Sequence, residues 1–403
     1  MNEETIRFPI RSALTPVFYK NFHCLAQDCR DSCCEGWRIT FDKKDYLRLR
    51  RLDAPAELRE RLEKDVRRQR DGNAGGVFYA GFDLDSHQGR CPFLDEDGLC
   101  AIQRACGGEA LPEVCRVYPR TDRYTPAARE YALSTSCEGV LQQLWDLPEG
   151  VEFVEDPLPK VERKTVLVPP EKPLAAYFAP LRALCVDILQ ERSLPLPERL
   201  LYLGIVLQRL GEEDWTSLDV ERWLEGIALP EAGALEFSGN WNMYLAQNLK
   251  TLDAIPAGER RWAEGLYAAL EVEREVAGDK YTVRYSQRAY EEALAEFRGA
   301  FGDRAYFFEN VMVAVALYRG FPHLGSPEEL WKSYVSLCSL YGFFRFVSVL
   351  GCKGEATKER LFHMIVMASR ATLHNRSRMD GFREELFQHN SSTLAHMAIL
   401  LRG

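Results

Sequence analysis

The 403-residue chain has no uninterrupted run of 18 or more apolar residues, so no transmembrane helix is expected. A basic, apolar leader is missing too. Met1-Asn2-Glu3-Glu4 is acidic, and Ile6–Ile10 is interrupted by Arg7 and Pro9, so no signal peptide and a cytoplasmic location are expected. No basic face stands out either. Residues 1–140 carry 22 Lys+Arg against 23 Asp+Glu, and the rest carries 29 against 37. An acidic body does not suit a phosphate backbone, and neither nucleic acid nor membrane is expected as a partner. It would suit a basic protein partner, although acidic surfaces are commonly only solubilising. No G-x-G turn follows a strand, since Gly72 and Gly75-Gly76 precede one, and no fixed repeat period marks a solenoid.

What is present divides in two. After Gly36-Trp37-Arg38-Ile39-Thr40-Phe41, Asp42 reads as the N-cap of a helix running from about Lys43 to Arg70. The glycines at 72, 75 and 76 end that helix and open a strand from Val77 to Phe82. Short extended pieces follow around Phe93 and Leu99, across the turn Asp95-Glu96-Asp97-Gly98, and again at Tyr131–Ser134. From Leu174 onward apolar residues recur at helical spacing, giving ten candidate helices: 174–192, 196–211, 216–227, 240–254, 258–273, 286–300, 304–319, 327–349, 355–375 and 380–402. The expected fold class is α+β, predominantly α. A small cysteine-rich domain (1–146) leads through a proline-rich connector (147–172, with Pro148, Pro157, Pro159, Pro169 and Pro170) to an all-helical domain (173–403).

Nine of the twelve cysteines fall between Cys24 and Cys137. In a reducing compartment such clustering points to metal binding or redox chemistry rather than disulfides. The elements are Cys24-x4-Cys29-x3-Cys33-Cys34, Cys91-Pro92-Phe93-Leu94, Gly98-Leu99-Cys100, the run from Leu111 through Cys115 to Arg120, and Ser136-Cys137-Glu138. Thiolates are soft ligands that favour zinc, copper(I) or iron–sulfur clusters, and loop cysteines a few residues apart converge readily. Cys33 and Cys34 do not, because adjacent side chains diverge; one of them faces a cluster while the other serves a second site, packs or reacts. Cys106, Cys185, Cys338 and Cys352 sit in helical surroundings and read as small buried hydrophobes. The remaining eight allow two four-thiolate sites, or one cluster plus structural thiols.

The run Phe22-His23-Cys24 through Cys34-Glu35-Gly36-Trp37, with the CPFL, GLC, C-R-x-Y-P-R and Ser-Cys-Glu elements after it, resembles the flagellin lysine N-methylases, within a broader cysteine-rich family known by its CxxCxxCC motif. The shared motifs cover residues ~20–140. The resemblance implies methyl transfer from S-adenosylmethionine to lysine side chains of flagellin, with a [4Fe-4S] cluster involved and zinc as the alternative metal. It places the family's eight cysteines on Cys24, Cys29, Cys33, Cys34, Cys91, Cys100, Cys115 and Cys137. The usual radical S-adenosylmethionine spacing, C-x3-C-x2-C, is half present as Cys29-x3-Cys33, but Gly36 and Trp37 stand where a third cysteine is needed.

Arg116, Tyr118 and Arg120 beside Cys115 are candidates to hold a cofactor carboxylate or to tune a cluster by hydrogen bonds, with support of a turn as the structural alternative. Trp37 reads as a core anchor over the cysteine loop, and His23 as a residue supporting Cys24. His363 and His374, eleven residues apart on one helix face, read as packing or surface residues. No catalytic base is identified. Two other readings remain: a non-catalytic zinc- or iron-binding interaction protein, and a thiol redox protein using Cys33-Cys34, for which no C-x-x-C before a helix exists.

Overall fold

The computed structural model describes residues 12–69, 76–124, 128–156, 171–228, 241–256, 260–277, 280–374 and 384–401. The strands are β1 (Ser12–Pro16), β2 (Thr40–Phe41), β3 (Val66–Arg68), β4 (Ala80–Phe82), β5 (Arg120–Tyr124), β6 (Ala128–Leu133), β7 (Phe153–Asp156), β8 (Glu273–Ala277) and β9 (Lys280–Arg284). Most other described residues are helical, so the fold is α+β and predominantly α.

Two cores organise the chain. The small one gathers Ile39, Phe41, Leu49, Leu58, Leu62, Phe93, Ile102 and Leu111 around a sheet of order β2-β4-β3. The expected single helix over 43–70 is two helices, Lys43–Arg50 and Ala56–Asp65. Pro55 explains the break: its ring lacks an N–H and steers the preceding residue away from helical geometry. Asp42 does cap the first helix, accepting the Asp45 N–H at 2.8 Å. The strand expected over Val77–Phe82 begins later, after a helical turn at Gly76–Phe78, and pairs Thr40 with Gly81. Residues 72–75 and the strand-like 165–168 lie outside the described residues.

The large core is built around the helix Pro327–Gly351, which is buried on all faces. By length and composition this helix would pass as a membrane span, but other helices surround it: Leu196–Glu212, Trp241–Asp253, Glu264–Ala269, Gln287–Phe301, Lys358–Leu373 and Leu394–Leu400. Ser326, Thr357 and Thr393 cap the helices that start at Pro327, Lys358 and Leu394 by accepting the N–H three residues on. The β8–β9 hairpin is the departure from an all-helical body.

The packing does not divide at residue 146. A four-stranded sheet of order β5-β6-β1-β7, in which β1 runs parallel to β6 and antiparallel to β7, lies against the helix Ala305–Arg319. Phe18, Phe22, Leu133, Val140, Leu141 and Leu144 belong to the large core. Asn310 donates to the carbonyls of Leu144 and Leu147 at 2.9 and 2.8 Å, and Arg123 to that of Leu317 at 3.0 Å. The cysteine-bearing segments therefore reach both cores, and the loop 24–37 lies at their junction.

Candidate metal centre

The loop starts with a single helical turn, Ala26–Asp28, where the Ala26 N–H donates to Cys24 Sγ at 3.4 Å. Its middle is held from the large core. Cys137 opens the helix Glu138–Trp145, and Glu138 Oε2 accepts the backbone N–H groups of Arg30 (2.7 Å) and Asp31 (3.1 Å) and the Cys29 thiol (3.6 Å). Its end is held from the small core. Cys91 N donates to Cys34 O at 2.6 Å, and Gly36, with φ +79°, donates to Gly89 O. The left-handed backbone at 36 favours glycine. Trp37 Nε1 donates back to Cys33 O at 2.8 Å, in keeping with its reading as an anchor.

The remaining thiols arrive on short, firmly tied pieces. Asp95 to Leu99 closes a tight turn that brings Leu94 beside Cys100 in a β-bridge, and so carries Cys100 back toward Cys91. Cys115 sits in the helix Glu113–Val117, whose first N–H is bound by Asp45 Oδ2 at 2.7 Å. The Cys34 thiol lies within hydrogen-bonding reach of those of Cys33 and Cys91. Cys29 is near Cys137 and Cys33, and Cys115 is near Cys34, Cys33 and Cys100. Cys106 stands apart, with its thiol directed at Asp53 O, and Cys185, Cys338 and Cys352 are buried in the large core.

The electrostatics of this crowd are one-sided. Burial, then Glu138 and Cys137, push the Cys29 thiol up. Cys137 is pushed up to about 12, chiefly by burial. The Cys33 thiol beside Cys34 lowers it, but its contact with Cys91 and its burial win, leaving Cys34 at about 12. Eight thiols this close become thiolates together only beside positive charge, which is what a bound metal supplies. The donor set fits a soft metal. As they stand the side chains touch in pairs. Among the described residues no three metal-binding side chains are converged on one point.

The third wall of the site comes from the helix Lys358–Leu373 and its cap His374. His363 Nδ1 meets Asp31 Oδ1 at 2.6 Å, Met367 packs near Gly36, and Arg370 donates to the carbonyls of Asp31 (2.6 Å) and Glu35 (3.0 Å). His374 Nε2 bonds Ser136 Oγ at 2.8 Å, and its ring stands edge-on to Trp37. Burial, then Arg370, push its imidazole down to about 4, so it is neutral near pH 7. Positions 363, 367, 370 and 374 recur at helical spacing and form one stripe against the loop. The two histidines, read from the sequence as packing or surface residues, thus touch the cysteine module.

Of the three candidates beside Cys115, Tyr118 faces the thiols. It is half-buried, stacks on Trp37 at 5.8 Å and shares a hydrogen bond with Ser136 at 3.0 Å. Burial and then Cys137 push its phenol well above its usual range. Arg116 pairs with Glu109 at the surface, and Arg120 lies over the Phe22 and Tyr19 rings and donates to Phe22 O. Sequence reasoning missed Asp31, Ser136, Glu138 and Arg370. Ser136 and Glu138 were visible as neighbours of Cys137, while the partners of Asp31 and Arg370 lie more than 300 residues away and left no local signal.

Residues 23–138 match the CxxCxxCC family, described as a proposed zinc- or iron-chelating domain, and residues 182–400 match the FliB lysine N-methylase C-terminal domain. Over 143 residues the chain is 31% identical to the lysine-N-methylases of Salmonella choleraesuis and Salmonella typhimurium, a stretch equal to 35% of this chain and 34% of each relative. The same identity over 143 residues relates it to the flagellar biosynthetic protein FliU of Salmonella muenchen, of which 80% is covered. The matched stretch thus spans about a third of the length of the two curated lysine-N-methylases. No solved structure matches the chain. With more than half of its residues matched, the chain belongs to the family of the FliB lysine N-methylase C-terminal domain.

Proposed function

We propose that this protein transfers methyl groups from S-adenosylmethionine to lysine side chains of flagellin, using an iron–sulfur cluster held by its cysteines. The observation that carries the reading is the stripe His363–Met367–Arg370–His374. It belongs to the methylase-family body and is seated on the loop that carries four of the eight cysteines.

Methyl transfer breaks the sulfonium S–CH3 bond, leaves its electron pair on sulfur and forms a bond from methyl carbon to lysine Nζ. The amine must be neutral, and an ordinary lysine has a pKa of about 10.4. One group beside the thiols suits proton removal, the His363–Asp31 pair. Trp37 and Tyr118 supply the apolar walls that favour a neutral amine. The thiol redox alternative draws no support from Cys33 and Cys34, because reactive thiols have lowered pKa values and these two are raised.

The test is methylation of purified flagellin by protein prepared without oxygen, followed by mass spectrometry of lysine peptides, together with iron, zinc and sulfide analysis. Methylated lysines that require both S-adenosylmethionine and the cluster support the reading. Stoichiometric zinc without sulfide, and flagellin left unmodified, would replace it with a metal-stabilised interaction module.

A further inference from the structure

Cys33 and Cys34 are adjacent, yet the two cores pull their neighbours apart. Cys34, Cys91, Cys100 and Cys115 all pack against the small core, and no residue of the large core is needed to bring them together. The backbone bond from Cys91 to Cys34 and the bridge from Leu94 to Cys100 tie three of the four segments directly. Cys137 instead packs against the large core. Cys29 reaches Glu138 beside it, and Cys137 also lies near Cys33 and Cys24. Just beyond Cys137, the Gly139 backbone is closely covered by Phe22, Leu25 and the carbonyl of His23, which fixes the turn bearing Cys24 over the start of that helix.

We propose that the eight cysteines form two separate four-thiolate centres, an inner one of Cys34, Cys91, Cys100 and Cys115 and an outer one of Cys24, Cys29, Cys33 and Cys137. The inner centre lies against the apolar residues of the small core, with Cys91 buried and Cys34, Cys100 and Cys115 half-buried, and has the character of a structural site of the zinc type. The outer centre lies at the junction with the body. Cys24 is exposed there and Cys29 and Cys137 are half-buried, so this centre borders solvent and is the one assigned the iron and sulfide. Cys33 touches Cys34 and lies near Cys100 and Cys115 as well as Cys29 and Cys137, so the two centres meet at this dipeptide, and Cys33 is assigned to the outer one because only Cys34 of the pair packs against the small core. The division rests on metal binding by these cysteines and not on methyl transfer.

The experiment measures metals directly on the full chain, purified without oxygen. Wild type is expected to carry about one zinc, with about four iron and four sulfide. In C24S and C29S the iron, sulfide and visible absorption are lost while zinc stays at the wild-type level. In C91S and C115S zinc is lost. A second measurement guards against misfolding: metal-free chain titrated with cobalt(II) should develop tetrahedral thiolate absorption up to about two equivalents in wild type and about one in C29S. If C24S or C29S, with unchanged circular dichroism, loses iron and zinc together, or if wild type saturates at one cobalt, the division is wrong. A chain that fails to methylate flagellin leaves these counts intact, so the two proposals fail separately.

Discussion

Glu138 offers the sharpest test of how the cysteine loop is held. Its Oε2 accepts two backbone N–H groups, from Arg30 at 2.7 Å and Asp31 at 3.1 Å, in a pocket where the residue is only 8% exposed. A hydrogen bond to a charged group contributes about 1.5 kcal/mol or more net, so Glu138→Ala should weaken closure of the loop by about 3 kcal/mol. At about 1.4 kcal/mol per decade, that raises the open fraction of the loop ~100-fold. Glu138→Gln keeps the shape and an acceptor oxygen but loses the charge, so it should cost about 1 kcal/mol. Amide hydrogen exchange at Arg30 and Asp31 reads this directly, because both amides exchange only when they leave Glu138. The order expected is Ala fastest, Gln intermediate and wild type slowest, with amides of the helix Pro327–Gly351 unchanged. Equal exchange at Arg30 and Asp31 in wild type and Glu138→Ala would show that the loop is held by something else.

Glu309 is buried between Arg192 and Arg199, with Arg199 Nη1 at 2.7 Å. Glu309→Leu leaves the buried Arg199 uncompensated and should cost about 3–5 kcal/mol, seen as a lower denaturant midpoint; a midpoint like wild type would count against the pair. His374 gives a pH signature. Its native value of about 4 lies below the ordinary 6.5, so the unfolded chain takes up a proton that the native one refuses. Its stabilising contribution is complete above pH ~6.5 and is lost as pH falls toward ~4, by about 3 kcal/mol in all. The stability of wild type should therefore fall relative to that of His374→Phe as pH drops through that window, and curves that stay parallel would refute the burial argument.

Legibility followed sequence distance. The cap at Asp42 and the helical spacing after Leu174 are local signals: Asp42 caps its helix, and helices such as Pro327–Gly351 and Lys358–Leu373 lie within a few residues of the expected bounds. The break at Pro55 is also a local signal, since proline disfavours helix at the residue before it. The parallel pairing of β1 with β6 joins Ser12 to Ala128, which no window of periodicity reports. The same holds for the site. Spacing singled out eight cysteines and Tyr118, but Arg370 acquires its role only by bonding carbonyls of Asp31 and Glu35.

The helix Lys358–Leu373 has two faces with different duties. One carries His363, Met367 and Arg370 against the cysteine loop, while Leu361, Phe362, Ile365 and Leu373 lie in the large core. A ligand that fixes the loop therefore fixes this helix, and through it the body, so metal occupancy and body stability are thermodynamically linked in both directions. Chelation should soften helices that touch no sulfur, and a substitution deep in the body on this helix should lower metal affinity without altering a single ligand.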